Sequence, residues 1–215
     1  MDATQPPAAP LVFVVDDDPG MRAALSRLFR SAQFTVEAYA SGQEFLDGCD
    51  LSRKAVLLLD VLMPGMTGLE LQAKLVERGV TTPIVFLTGT HSVPMAVTAM
   101  QRGAVDFLEK PFENEMLLER VRSAYVVSRP AARGAEDGEL DARAKALTPR
   151  EREVMFLVTA GKTSKEIARD FAISPRTVEI HRMHLMDKMR AQSLAELVRM
   201  AIALGDHAKG PAQAG

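Results

Sequence analysis

The sequence predicts an α/β unit, a doubly wound five-stranded parallel sheet with covering helices, followed by a small all-α unit of four helices containing a helix-turn-helix. Three observations carry this. Over residues 11–128, short all-apolar runs alternate with amphipathic stretches, the pattern of strands buried on both faces and the helices that cover them. Residues 129–146, including Pro130-Ala131-Ala132-Arg133-Gly134, lack apolar periodicity and read as a flexible joint, with Leu140, Ala142 and Ala144 open to either a short helix or disorder. Residues 147–208 then carry closely spaced helix-start signals.

Leu11-Val12-Phe13-Val14-Val15 is an apolar strand that ends in Asp16, Asp17 and Asp18. Pro19 stands where a helix can begin, with Met21, Ala24, Leu25, Leu28 and Phe29 on one face. Phe34 to Tyr39 is a second strand, and Ser41 can cap a short helix through Phe45 and Leu46. Ala55-Val56-Leu57-Leu58-Leu59-Asp60 then delivers one carboxylate to the tip of the central strand, and Pro64 and Gly65 break the run. A helix from about Leu69 to Glu77 follows. Pro83-Ile84-Val85-Phe86-Leu87 is a fourth strand ending at Thr88, with Pro tolerated at its first position. Ser92 to Arg102 reads as a helix closed by Gly103. Val105 to Leu108 is a fifth strand leading to Lys110-Pro111, and Glu113 to Val127 is an amphipathic helix.

In the flavodoxin-like strand order 2-1-3-4-5, the strand tips are neighbours around the switch point. Asp16, Asp17, Asp60, Thr88 and Lys110 would then share one rim. Clustered carboxylates repel unless a cation or a proton intervenes. Mg²⁺ suits them, because it takes oxygen ligands and is held by one or two carboxylates together with phosphoryl oxygens. A carboxylate can also attack phosphorus to give an aspartyl-phosphate. Asp60, alone on the central strand, suits that role, with Lys110 and Thr88 placed to meet phosphoryl oxygens. Taken singly, an acid at a strand end is usually a cap or turn former; convergence on one rim is what points to a site.

The runs Val14-Val15-Asp16-Asp17, Leu59-Asp60-Val61-Leu62-Met63-Pro64-Gly65-Met66-Thr67-Gly68, Leu87-Thr88-Gly89 and Lys110-Pro111-Phe112 resemble the receiver domain of bacterial two-component response regulators. The resemblance implies that a histidine kinase phosphorylates Asp60 with Mg²⁺ held by Asp17, Asp60 and the backbone carbonyl of Leu62, and by Asp16 through water. It also implies a switch pair, Thr88 and Phe107, and a cis Lys110-Pro111 bond. Many receivers have a polar side chain two residues after the acceptor, where this chain has Leu62.

In the C-terminal part, Thr148-Pro149-Arg150-Glu151, Thr163-Ser164-Lys165-Glu166, Ser174-Pro175 and Ser193-Leu194-Ala195-Glu196 open four helices. The middle two are separated by Ala172-Ile173, a helix-turn-helix spacing. In the third helix Val178, His181, Leu185 and Met189 should face inward, leaving Arg176, Glu179, Ile180, Arg182 and Met183 outward. Together with Lys162, Thr163, Lys165, Thr177 and Lys188 these are the candidate DNA contacts. His184 is left open. The stretches Gly161 to Ala168 and Ser174 to Arg182 resemble the LuxR-type DNA-binding domain. Receiver plus this domain is the layout of the NarL/FixJ regulators, and the pattern looks most similar to the FixJ branch. That resemblance implies dimerisation through the last helix (Leu194, Leu197, Val198, Ala201, Ile202), promoter DNA as partner, and RNA polymerase as a further one.

Charge agrees with this division. Lys and Arg number 12 against 15 Asp and Glu in residues 11–129, but 11 against 7 in residues 144–205, so nucleic acid would meet the C-terminal part. The single cysteine, Cys49, excludes an internal disulfide and a cysteine zinc cluster. Neither a membrane span nor a signal peptide is evident, so a cytoplasmic location is expected. The expected function is a phosphorylation-regulated transcription factor that forms a homodimer on phosphorylation, with no enzymatic turnover beyond its own phosphoryl chemistry. Two alternatives are a DNA binder whose receiver serves only dimerisation, and a Mg²⁺-dependent phosphohydrolase using Asp60, for which the chain has no substrate-binding insert.

Overall fold

In a computed structural model that describes residues 9–89, 93–127 and 136–205, five parallel strands lie in the order β2-β1-β3-β4-β5. They are β1 (Leu11–Val15), β2 (Thr35–Tyr39), β3 (Ala55–Asp60), β4 (Ile84–Thr88) and β5 (Asp106–Glu109). Helices α1 (Pro19–Ser31), α2 (Gly42–Gly48), α3 (Gly68–Glu77), α4 (Val93–Gln101) and α5 (Asn114–Val127) alternate with them. Every residue of β1, β3 and β4 is buried, as their unbroken apolar sequences require in a sheet covered on both faces. One face packs Val12, Val14, Val56, Leu58, Val85 and Leu87 against Leu25 and Phe29 of α1 and Leu117 and Val121 of α5. On another side, Phe13 meets Phe45 of α2 with ring centroids 5.6 Å apart.

The register brings the strand ends level. Val15 pairs with Leu59, Asp60 with Leu87, and Thr88 with Glu109. Asp16, Asp60, Thr88 and Lys110 therefore emerge at one edge, as the order 2-1-3-4-5 predicts.

The C-terminal helices are α6 (Glu136–Lys145), α7 (Pro149–Thr159), α8 (Ser164–Phe171), α9 (Pro175–Met189) and α10 (Leu194–Ala203). Thr148 and Thr163 close complete capping boxes with Glu151 and Glu166, while Ser174 and Ser193 accept from the third backbone N–H of their helices. Val154, Val158, Ile167, Val178, Leu185, Met189, Leu197 and Ala201 form their core.

Two features go beyond or differ from expectation. Residues 136–145 form a helix, which decides between the short helix and the disorder left open for Leu140, Ala142 and Ala144, and Leu140 packs on the helical core. Its single leucine gives too weak a stripe to show as periodicity, although Arg143 and Lys145 favour its last turn through the helix dipole. The remainder of the expected joint, residues 129–135, and the expected helix start at Ser92 lie outside the described residues. The second difference is the grouping: one compact unit holds the sheet with α1, α2, α3 and α5, whereas α4 belongs with α6 to α10 in the other. Val93–Gln101 has no charged residue and buries Ala96, Val97, Ala99 and Met100. Among the described residues no helix is long and apolar enough to cross a membrane.

Candidate functional site

Asp60 ends the buried central strand and is 6% exposed; Asp16, just past β1, is 1% exposed. The Lys110 ammonium joins them, donating to Asp60 Oδ1 (2.7 Å) and Asp16 Oδ2 (2.8 Å). The Leu62 N–H donates to the other oxygen, Asp60 Oδ2 (3.0 Å), and the Asp18 N–H to Asp16 Oδ1 (2.9 Å). Lys110 is held in place by its own backbone, whose N–H donates to the Thr88 carbonyl at 2.6 Å. Burial pushes the Asp60 carboxyl above the ordinary carboxylate range; Lys110 opposes the rise and Asp16 adds to it. For Lys110, burial pulls the ammonium down, but the hydrogen bonds to Asp16 and Asp60 outweigh it and hold its pKa above the usual lysine value.

Gly68 is required by the same rim. A Cβ there would stand 2.2 Å from the Asp60 carbonyl oxygen, a backbone atom that cannot yield easily. Thr88 is 1% exposed and Phe107 8%. The register pairs Phe86 with Phe107 and Thr88 with Glu109, which puts Thr88 and Phe107 on the same face of the sheet. Lys110-Pro111 is cis, as expected.

The expected rim of three carboxylates is narrower than the sequence suggested. Asp17 is exposed, and among the described residues no group of three or more carboxylate, His or Cys side chains stands close enough to hold a metal. Asp16 also touches Lys110 directly. The donors available are hard oxygens on two buried carboxylates and a neighbouring exposed one. That set fits Mg²⁺, which keeps several waters and is seldom caged entirely by protein. Beside Lys110, a groove of about 580 Å³ is lined by Met21, Ala24, Arg27, Leu28, Phe112 and Asn114.

In the second unit Ala172, at φ +53°, ends α8 and turns the chain into α9. Val178, Leu185 and Met189 face the core, and His181 is only partly buried. Arg176, Glu179, Ile180, Met183 and His184 are exposed on the outward stripe. Several candidate DNA contacts are otherwise engaged. Arg182, expected outward, folds back so that Nη1 reaches Ser164 Oγ (3.4 Å), and burial lowers its pKa. Lys188 donates to Glu151 Oε2 (2.7 Å), and Lys162 to Asp170 Oδ2 (2.5 Å). The Thr163 hydroxyl is taken by the capping box with Glu166, and Thr177 Oγ1 meets Ser174 Oγ (2.8 Å). Lys165 remains exposed.

The family model for the response regulator receiver domain matches residues 12–122. That for bacterial regulatory proteins of the luxR family matches residues 145–201. The transcriptional regulatory protein FixJ of Bradyrhizobium diazoefficiens is 44% identical over 195 residues, 90% of this chain and 95% of that protein. The chain belongs to the FixJ-type response regulators. Response regulator protein TodT of Pseudomonas putida is 38% identical over 199 residues, 92% of this chain and 88% of its own. Among solved structures, full-length FixJ from B. japonicum shares 43% identity with a TM-score of 0.53, covering 92% of this chain and 98% of its own. Response regulator StyR shares 40% with a TM-score of 0.54, covering 91% and 99%.

Two features of this FixJ-type regulator escaped sequence reasoning. Glu151 was legible as a capping residue, but not as a carboxylate 3% exposed that also anchors Lys188 of α9. Arg143 of α6 donates through Nη1 to the Met189 carbonyl (3.3 Å) at the end of α9. Neither has a local motif, because each depends on residues more than 35 positions away.

Proposed function

We propose that a partner histidine kinase transfers a phosphoryl group to Asp60, and that this favours a homodimer that binds promoter DNA through α9 and engages RNA polymerase. The observation that carries the proposal is the Lys110 ammonium set between the Asp16 and Asp60 carboxylates. An Asp60 oxygen attacks phosphorus as the P–N bond to the kinase histidine breaks. Lys110 and the Thr88 hydroxyl take up phosphoryl oxygens, and Thr88 with Phe107 carries the change into β4 and β5. Asp17, Asp60 and the Leu62 carbonyl, with Asp16 through water, would hold Mg²⁺, which neutralises charge on the carboxylates and the transferring group. The groove beside Lys110, apolar with Arg27 and Asn114 at its walls, suits a helix of the kinase.

The receiver is assigned to residues 11–128 and the DNA-binding domain to residues 147–208, with α6 as an addition to the latter rather than as linker. The location proposed is the cytoplasm. The test is acetyl phosphate with Mg²⁺, followed by intact mass and gel shift on genomic promoter fragments. One phosphoryl group per chain, absent in Asp60→Asn, and tighter DNA binding after labelling are expected. An unlabelled Asp60, or equal DNA affinity with and without label, would refute the proposal, and catalytic turnover of phosphate esters would favour a phosphohydrolase instead.

A further inference from the structure

Among the described residues of the second unit, the large apolar side chains left exposed are Ile180 (41%) and Met183 (61%), one helical turn apart on α9. Their position is not an accident of rotation: Val178, Leu185 and Met189, each fully buried on the opposite side, fix which face of α9 points out. The pair stands on the outward face of the helix proposed to enter the groove, where apolar side chains meet whatever apolar feature a partner presents. Its surroundings select the partner. Arg176 stands one turn before Ile180 on α9, and Lys165 and Arg169 are exposed on the preceding helix α8; cations on the two helices of a helix-turn-helix suit the phosphates bordering a groove. A protein interface would need roughly 800 Å² per partner, which a two-residue patch between Arg176, Glu179 and Asp187 does not supply. In the DNA major groove, the apolar feature on a base edge is the thymine C5-methyl group.

We infer that Ile180 and Met183 are specificity-determining residues that read thymine methyl groups on neighbouring base pairs. The spacing agrees. Three residues of helix rise about 4.5 Å, close to the base-pair step of about 3.4 Å. Glu179, exposed beside them, is a carboxylate of the type that accepts from the cytosine N4 amino group. The operator half-site therefore contains thymines against the centre of α9. This rests on α9 being the DNA-reading helix, as proposed above.

The test uses the full-length protein labelled with acetyl phosphate and a random-sequence duplex library. Selected duplexes are resynthesised with deoxyuridine replacing thymidine one position at a time, which removes the methyl group and leaves pairing intact. Two neighbouring positions per half-site should each weaken binding about fourfold, the worth of one buried methyl. In Ile180→Ala one of those penalties should vanish, and in Met183→Ala the other, while Met183→Leu retains it; such non-additivity reports direct contact. Deoxyuridine tolerated at every position would overturn the inference, as would penalties unchanged in the variants. Ala variants that lose dimer mass while deoxyuridine remains neutral would assign the pair to a protein contact instead. If no duplex is enriched at all, the DNA-binding reading of α9 falls, and this inference with it.

Discussion

Leu62 is half exposed (50%) two residues beyond Asp60, and its backbone N–H is already spent on Asp60 Oδ2. An isobutyl group there offers no donor or acceptor to a water approaching phosphorus, so the aspartyl-phosphate is expected to be long-lived. Leu62→Asn should shorten its lifetime about tenfold, roughly the value of one hydrogen bond gained in the transition state. Following loss of label from Asp60 over time checks this, and equal lifetimes would count against it. At this scale the sequence was informative about which residues converge and less so about what each touches. Strand tips could be aligned from apolar runs alone, because the register of a parallel sheet follows from burial. That Lys110 would bridge two acids, and that Asp17 would stand outside them, depends on the paths of loops that no periodicity encodes. Arg182 shows the same limit: helical spacing put it outward, but a long side chain can lay its stem along the helix and reach Ser164.

The helices divide along similar lines. Those with a capping box or a Ser-Pro start were legible, since their signals are local, whereas α6 is held by distant partners: Arg143 on the Met189 carbonyl and Leu140 in the core. Helix α9 is thus fixed near its C-terminal end twice, by Arg143 and by the Lys188–Glu151 ion pair (2.7 Å). For Glu151, burial raises the pKa, but Lys188 and the Thr148 N–H and hydroxyl outweigh it and bring the carboxyl from 4.5 down to about 2. A folded-state pKa below the unfolded one means stability that is complete above about 4.5 and lost as pH falls toward about 2. Thermal melts of the helical signal across that window should lose stability in the native chain and less steeply in Glu151→Gln. Lys188→Met should cost about 1–3 kcal/mol at neutral pH by removing the cation and one charge-assisted hydrogen bond from the buried carboxylate. A pH profile of Glu151→Gln that matches that of the native chain would refute this account of the buried carboxylate.

For the whole molecule, the net charge of -2 conceals an acidic front and a cationic back, a contrast legible in composition alone because it needs no contacts. What composition could not reveal is that α4 groups with the C-terminal helices, or that Leu197 (1%), Val198 (1%) and Ala201 (0%) of α10 are buried within the single chain. A dimer formed through α10 therefore requires those side chains to be uncovered first, and phosphorylation of Asp60 is the proposed trigger. Counterion release turns this into a measurable slope. Each phosphate neutralised contributes about -0.9 to the dependence of log K on log salt. Taking Lys165, Arg169 and Arg176 as the exposed cations on α8 and α9, one copy should give a slope of about -3, and two copies about -5. Phosphorylated protein should show the steeper value and Asp60→Asn the shallower one, measured by titration at several salt concentrations on the same duplex. Identical slopes would mean that the same number of copies grips the DNA in both states, and the receiver would then act on something other than assembly.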